Sequence, residues 1–304
     1  MPVSNDLEFI YNKLQESMKQ FILWLAAVII TIAAVIYQRT TGPTYPVKGT
    51  ITAMGKDYKY RLIRTHESSE NAGISLPKTP ATDFNVFLHY KRFQTSDTMT
   101  VKPFVLKGDK YIATLPKQPA AGKMEYFVSG TIDNQKFRVP KEGEDNIVLR
   151  YKDHVPGGIL WPHVFMMFFA ILFGMRAALS ALFDPKTMRR WAIIALIGMS
   201  IGGMVLGPFV QKYAFGEFWT GFPYGGDFTD NKMLIMWLSW VVAIAIIGLK
   251  PKKKEKISRV VVLLATVVMT MVYMIPHSMG GSTLDYEKVD QGIKPSDAIK
   301  TGKE

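Results

Sequence analysis

The sequence predicts an α-helical membrane protein with five transmembrane helices plus an all-β sandwich domain. The apolar residues of the 304-residue chain are concentrated in five blocks, and the charged residues lie between them. Residues 38–156, between the first and second blocks, contain short runs of alternating apolar and polar residues separated by turn residues, a pattern typical of β-strands. This segregation excludes a soluble enzyme, a fibrous protein and a disordered chain.

Each apolar block is close to the length that a helix needs to cross a bilayer. A spanning helix takes roughly 20 residues to cross about 30 Å of hydrocarbon, so we expect the shorter blocks to extend into their flanks. The first block is interpreted as an uncleaved signal anchor, because no small-x-small cleavage site follows it. The predicted spans are Phe21–Tyr37, Ile159–Phe183, Trp191–Val210, Met233–Leu249 and Val260–Ile275.

The charged residues between the spans orient the chain by the positive-inside rule. The loop after the second span holds Lys186, Arg189 and Arg190, and the loop after the fourth holds the lysine-rich run Lys250–Lys256. The loop after the third span is acidic and includes Glu217. We therefore expect a protein of the bacterial inner (cytoplasmic) membrane, with its N-terminus inside and its β-domain and C-terminus outside.

These expectations divide the chain into five segments. The polar residues Thr283–Glu304 are expected to be disordered, and residues 66–82 are expected to form a long loop. The segments are a cytoplasmic N-terminal segment 1–20, a transmembrane anchor helix 21–37, an extracytoplasmic β-sandwich domain 38–156, a four-helix transmembrane region 157–276 and an extracytoplasmic polar tail 277–304.

Part of the β-domain resembles an Ig-like or fibronectin-III-like module. The runs Phe84–Phe93, Val101–Phe104, Lys110–Pro116 and Ala121–Phe127 are similar to the "YY-R … vPm … Y-a-l-P … a-G … v-e-Y-y-v" pattern of strands C to F in such modules. The resemblance covers about 45 residues and implies an Ig-like sandwich, but it implies no chemistry, because these modules serve binding, spacing and assembly alike. The membrane half resembles uncharacterised bacterial multi-span membrane proteins.

Eight strands are predicted in this domain. Each is a short run of apolar and β-branched residues, and turn signals separate successive runs. They are Val47–Met54, Tyr58–Arg64, Phe84–Phe93, Thr98–Leu106, Tyr111–Leu115, Met124–Gly130, Phe137–Val139 and Asn146–Tyr151.

Composition excludes several classes of function. The net charge of +12 is distributed over loops and over the β-domain and not along one helix face, so we predict no nucleic-acid partner. The absence of cysteine excludes disulfides, thiolate metal sites, a thiol nucleophile and covalent c-type haem. No Walker, G-x-S-x-G, S-x-x-K or H-E-x-x-H motif is present, so no catalytic residue and no organic cofactor are predicted.

A transition-metal site at the outer membrane boundary is the alternative functional hypothesis. His163 and His277 lie near the outer ends of the second and fifth predicted spans, and Asp227 and Asp230 lie in the loop after the third. Imidazole and carboxylate ligands suit zinc, iron or copper. The competing interpretation is that the histidines are solvated at the interface and that Asp227 caps the helix of the fourth span.

Two further patterns concern contacts of the predicted helices. The aromatic loop residues Trp219, Phe222 and Tyr224 form either an interfacial aromatic belt or a partner-binding or lipid-facing surface. Arg176, two turns from the cytoplasmic end of the second span, either snorkels inward or pairs with a lipid phosphate or partner carboxylate.

Four glycines in the third span are spaced for close helix packing. Small residues four apart let two helix backbones approach each other. The contact is made either with another span of this chain or with a separate subunit. The glycines are Gly198, Gly202, Gly203 and Gly207.

The leading hypothesis is a non-enzymatic accessory, assembly or scaffold component. Its helices and outer β-domain would bind other membrane protein subunits or a further copy of the chain, in contact with membrane lipids. The spans lack a deep acidic residue, which argues against a self-sufficient pump. The second hypothesis is a redox or metal-handling membrane protein, and a third is a conduit formed on oligomerisation.

Overall fold

The computed structural model describes residues 3–81, 83–251, 255–275 and 281–300, with side chains described from Leu7 onward. The chain divides into two compact units. The helical unit has the bounds Met1–Thr41, Gly157–Val210 and Thr229–Pro276. The β-rich unit has the bounds Gly42–Pro156, Gln211–Phe228 and His277–Glu304.

Five helical segments among the described residues are long and apolar enough to span a membrane, which confirms the predicted number. The helices are α1 (Val3–Thr41), α2 (Gly157–Phe183), α3 (Met188–Met199), α4 (Gly207–Phe215), α5 (Phe228–Ile247) and α6 (Glu255–Met274). A π-helical stretch, Ser200–Leu206, joins α3 to α4, and these three form one candidate span.

Several helices begin before the predicted apolar blocks because the polar residues that precede a block also form helical turns. α1 has 39 residues and begins well before the predicted anchor at Phe21. α5 begins at Phe228 and α6 at Glu255. An acidic residue lies in the first turn of each of these two helices, where it stabilises the positive end of the helix dipole.

The glycines of the third span contact other helices of the same chain. A Cβ added at Gly198 would lie 3.1 Å from Cβ of Ala170, and one at Gly202 would lie 2.7 Å from Cβ of Met166, both residues of α2. A Cβ at Gly203 would overlap the side chain of Met233 in α5. These glycines therefore let the π-helical region pack closely between α2 and α5.

The π-helical turn supplies a carbonyl to a histidine of α2. The amide of Gly207 donates to the carbonyl oxygen of Gly202, five residues earlier. His163 Nδ1 lies 2.8 Å from the same oxygen, and because a carbonyl only accepts, Nδ1 carries the proton. A π-helical turn places carbonyls differently from an α-helix, and here one of them is bonded across the helix interface.

The strands of the β-rich unit form several sheets that share one core. Among the described residues the largest sheet has the order β3-β11-β9-β5-β6 with β10 on β9, a second has the order β4-β8-β7, and β1-β2 and β12-β13 are pairs. Leu62, Ile74, Leu88, Tyr126 and Leu149 come from different strands and are all fully buried in this core. The strands are β1 Val47–Ala53, β2 Lys56–Leu62, β3 Thr65–Glu67, β4 Ala72–Pro77, β5 Phe84–Arg92, β6 Thr100–Pro103, β7 Val105–Lys107, β8 Lys110–Leu115, β9 Lys123–Ile132, β10 Gln135–Val139, β11 Ile147–Lys152, β12 Thr283–Leu284 and β13 Ile299–Lys300.

The prediction of a long loop over residues 66–82 is wrong. Residues Ala72–Pro77 form β4, which pairs antiparallel with β8. Ala72, Ile74 and Leu76 are buried, and they alternate with Gly73 and Ser75. Because small and polar residues lie between the buried ones, the apolar content of the run is low, and a strand with one buried face was not predicted.

The prediction that Thr283–Glu304 is disordered is also wrong for the residues through Lys300. This part of the chain forms β12, a short helix α7 (Tyr286–Asp290), a 3₁₀ turn at Pro295–Asp297 and β13. Leu284, Tyr286 and Ala298 form a small core of their own. Few apolar residues suffice here because side chains from β9 and β11 also hydrogen-bond to the backbone of the segment. We call residues 281–300 the C-terminal segment.

The glycine contacts predict a difference between two alanine substitutions. Gly202→Ala places a methyl group 2.7 Å from Cβ of Met166 and 3.1 Å from the amide nitrogen of Met167, so overpacking is expected to destabilise the helical unit by about 1–3 kcal/mol. Gly207→Ala is the control, because its nearest neighbours are 3.6 Å away or more. Thermal unfolding midpoints in detergent measure both, and equal midpoints would contradict the packing.

Candidate functional site

A group of charged residues is buried in the β-rich unit. Lys123 begins β9, Arg150 lies in β11, and Asp227 ends the segment between α4 and α5. Lys123 is 1% exposed and Asp227 is 5% exposed, whereas Arg150 is partly buried. We call these three residues the buried charged cluster. Buried charges are stable only when they are paired and hydrogen-bonded, so their partners indicate what the cluster does.

The Asp227 carboxylate connects the segment before α5 to the C-terminal segment. Its Oδ2 accepts hydrogen bonds from Thr220 Oγ1 at 3.1 Å, from the Ser282 amide at 3.2 Å and from Ser282 Oγ at 3.4 Å. A Cβ added at Gly281 would lie 2.7 Å from the same oxygen. Only glycine at position 281 therefore allows the backbone to approach the carboxylate this closely.

The two cations of the cluster bind the same short stretch of backbone. Lys123 Nζ donates to the Gly281 carbonyl at 3.2 Å and to Thr283 Oγ1. Arg150 donates to the Ser282 carbonyl at 3.0 Å, and its guanidinium lies 3.9 Å from the ring centre of Phe215. Three consecutive residues of the C-terminal segment are thus fixed by side chains from β9 and β11.

Burial sets the protonation of this cluster. Burial and the neighbouring Arg150 lower the pKa of Lys123 to about 7, whereas the Asp227 carboxylate acts in the opposite direction. Burial also lowers the pKa of Arg150 to about 10, again opposed by Asp227. Perturbed pKa values mark functional sites and structural ion networks alike. Because Lys123 is 1% exposed, its amine does not reach a dissolved substrate in this conformation, and the network interpretation fits better.

Tyr286 completes the attachment of the C-terminal segment. Its hydroxyl accepts from the Lys123 amide and donates to the Lys123 carbonyl, both at 3.0 Å. Burial raises the pKa of the Tyr286 phenol, so the phenol keeps its proton and remains a donor. At the end of α7, Asp290 forms an ion pair with Arg92 at 2.7 Å, and Arg92 also binds Asp97 through two nitrogens.

An open cleft of about 440 Å³ lies where the three parts of the β-rich unit meet. Its walls include Gln118 and Asp153 from the strand-bearing part, Phe215 from the segment before α5, and Ser296 and Ile299 from the C-terminal segment. The cleft therefore exists only when the C-terminal segment is in place.

The three predicted metal ligands that the structure describes are distributed between both units. His163 belongs to the helical unit and donates to the Gly202 carbonyl. Asp230 is buried in the first turn of α5, also in the helical unit, and Asp227 belongs to the β-rich unit. His277 lies outside the described residues. Among the side chains that the structure describes, no group of three or more histidine, aspartate or glutamate residues is placed to hold a metal ion, and the metal site stays a prediction.

The aromatic loop residues differ in exposure. Phe222 is 69% exposed and Tyr224 is 72% exposed, whereas Trp219 is partly buried and donates from Nε1 to the Phe222 carbonyl at 3.0 Å. The loop is held by backbone bonds from Tyr224 to Gly221 and from Asp227 to Thr220, both at 2.9 Å. Two large exposed aromatic side chains are thus carried by an internally hydrogen-bonded loop.

Arg176 is buried within the helical unit and binds side chains of the same chain. Its guanidinium donates to Ser180 and to Gln20 of α1, and lies within 6 Å of the ring centres of Trp24 and Trp191. Gln20 in turn donates to Asp184 at 2.9 Å. A buried charge requires such partners, and these contacts join α1, α2 and α3.

Sequence reasoning missed Lys123, Arg150, Ser282 and Tyr286 as parts of one site. Lys123 and Gly281 are 158 positions apart in the chain, and neither lies in a spaced motif. The one available signal was a lysine at the start of an apolar strand, which is equally common on a solvated edge. Only the folded C-terminal segment makes this lysine a buried residue.

A scan against protein-family models and a search of curated proteins found no match for this chain.

Removing the Asp227 carboxylate is expected to loosen the C-terminal segment. In Asp227→Ala the Thr220 hydroxyl and the Ser282 amide lose their acceptor, and the nearby cations lose an anion that favours their charged forms; leaving a buried donor unsatisfied costs about 1–3 kcal/mol. Trypsin is then expected to cleave after Lys288 and Lys294 at least about tenfold faster than in the wild type. Asp145→Ala, which removes an exposed carboxylate of the same unit, serves as the control. Equal cleavage of all three proteins would contradict the role of Asp227.

The pKa of Lys123 predicts a pH dependence. In the folded protein the pKa of Lys123 is about 7, so the amine loses its proton above that pH. In the unfolded chain the pKa of Lys123 has its ordinary value of 10.5. The unfolded state therefore binds more protons between these values, and the free energy of unfolding rises with pH across this window. From about pH 7 to about pH 9, we expect the unfolding midpoint of the wild type to rise relative to that of Lys123→Met. Parallel curves for the two proteins would refute this.

Proposed function

We propose that the protein is a non-enzymatic accessory, assembly or scaffold component of the bacterial inner membrane. In this role its helices and its outer β-rich unit bind partner subunits. The observation that carries the proposal is the aromatic loop, because large aromatic side chains exposed on a rigid loop are typical anchors of protein interfaces.

The membrane placement is supported by the way the β-rich unit is assembled. Its three parts precede α2, separate α4 from α5, and follow α6, and hydrogen bonds join all three. Parts that hydrogen-bond to one another directly lie on the same side of a bilayer. The five candidate spans would then alternate in direction, as the charges of the loops predict. The positive-inside rule assigns the β-rich unit to the outside.

The side chains of the candidate spans also favour a structural role. Arg176 donates hydrogen bonds to Ser180 and Gln20. Thr266 donates to the carbonyls of Gly174 and Val262. These polar groups join helices to one another. The resemblance of residues 84–127 to an Ig-like module agrees with a domain that is used for binding or spacing. We therefore include an Ig-like fold of this domain in the proposal.

The experiment isolates the protein from its native membranes in mild detergent and identifies co-migrating proteins on a native gel by mass spectrometry. We expect a discrete assembly with defined partners. The double variant Phe222→Ser/Tyr224→Ser is expected to recover at least about tenfold less partner, because aromatic anchors often contribute 2 kcal/mol or more each.

The matched control is Val101→Ser/Val105→Ser, which removes two exposed apolar side chains of the same unit. It is expected to recover partners as the wild type does. Equal loss in both double variants would show that the loop is not the interface. A purified protein that migrates alone and turns over a substrate would overturn the proposed function.

A further inference from the structure

The helix α1 is longer than a membrane span requires. Its 39 residues extend about 58 Å at 1.5 Å per residue, whereas the hydrocarbon is about 30 Å thick. The charged residues of its first part, Asp6, Glu8, Lys13, Glu16 and Lys19, all precede Phe21. Charges at this density do not enter hydrocarbon, so about five turns of α1 lie in water.

These turns nevertheless carry an apolar stripe. Its residues alternate in steps of four and three, which is the 3.5-residue period of a coiled coil. Leu7, Tyr11, Leu14 and Met18 are 64%, 61%, 61% and 57% exposed. The stripe continues without interruption into the predicted span. We call it the α1 stripe; its members are Leu7, Tyr11, Leu14, Met18, Phe21, Leu25, Val28 and Ile32.

The α1 stripe lies on the side of the helix away from its own bundle. Leu23, Ala27, Thr31 and Ala34 are the residues of α1 that are buried in the helical unit. At about 100° per residue they lie on the face roughly opposite the stripe. Packing within this chain therefore orients most of the stripe outward; the exception is Val28, which packs against the core of the helical unit.

The charge of the first part of α1 indicates whether the stripe binds a lipid surface or another helix. A helix that lies on a membrane surface has a polar face rich in lysine and arginine, which binds anionic headgroups. Residues 3–20 carry two lysines against three acids, and Glu16 forms an ion pair with Lys19 at 3.9 Å on the polar face. A slightly acidic helix with heptad spacing favours another helix over a lipid surface.

We propose that α1 pairs with α1 of a second copy of this chain in a parallel coiled coil along the α1 stripe. The pairing is parallel because two copies inserted in one bilayer have the same orientation. With Leu7 and Leu14 at position d, position g holds Val3, Ile10 and Ser17, and position e holds Glu8 and Gln15. No like charges then face each other across the parallel interface. The inference goes beyond the proposed function, because it names the surface and the partner.

Site-directed cross-linking tests this pairing, since the chain has no cysteine of its own. Leu14→Cys in the full-length protein, in native membranes, is oxidised with copper-phenanthroline and resolved on a denaturing gel. Glu16→Cys is the matched control on the polar face, where the two Cα atoms of paired helices would lie roughly 13 Å apart. Disulfides require Cα atoms within about 7 Å.

We expect Leu14→Cys to give at least about fivefold more cross-linked dimer than Glu16→Cys, with the dimer at twice the 34.3 kDa of the chain. Equal cross-linking at both positions, or none at Leu14, would overturn the proposal. The second outcome includes the case in which the stripe binds lipid or a different protein.

A second measurement does not depend on disulfide geometry. Two copies with different affinity tags are expressed together, and one is recovered through the other. Leu14→Glu in both copies is expected to reduce this recovery at least about tenfold, whereas Asn12→Glu, with the same added charge on the polar face, leaves it unchanged. Equal recovery from both variants would contradict pairing through the stripe. These outcomes are independent of whether the aromatic loop binds a partner.

Discussion

The burial of Lys123 and Arg150 is the constraint on which the β-rich unit depends. Two cations inside a protein require an anion and a complete set of acceptors, because water no longer solvates them. Asp227 supplies the anion, and the carbonyls of Gly281 and Ser282 supply acceptors. These groups come from three distant parts of the chain, so satisfying the charges also assembles the unit.

The helical unit also contains buried arginines, which are stabilised by different partners. Arg176 is surrounded by Trp24 and Trp191 and donates to Ser180 and Gln20. Arg189 forms an ion pair with Glu255 at 2.9 Å and also donates to Ser258, which joins α3 to α6. In a membrane, apolar burial adds little to helix association. Polar contacts of this kind, together with the close approach at the glycines, are what hold helices in a specific arrangement.

The candidate spans and most strands of the β-rich unit were predictable, because each depends on a local pattern. An apolar run of sufficient length and an alternating run between turn residues can both be recognised without knowing what they contact. The prediction failed at β4 and at the C-terminal segment. Ile74 and Leu76 are two buried residues in a run of small and polar ones. Tyr286 is buried where the Lys123 carbonyl of β9 accepts a hydrogen bond from its hydroxyl. Where another part of the chain provides the burial, a segment can fold with too few large apolar residues for its local pattern to be recognised.

The sequence by itself determined that five helices can cross a membrane, that the loops after the second and fourth are basic and that the loop after the third is acidic, because hydropathy and charge are properties of contiguous residues. It also determined the heptad spacing of α1. Only the tertiary structure decided that Gly198 and Gly202 face α2 and that Lys123, Arg150 and Asp227 form one buried cluster. It likewise decided that the α1 stripe faces away from its own bundle. These are relations between residues far apart in the chain, and the packing of the whole fold sets them.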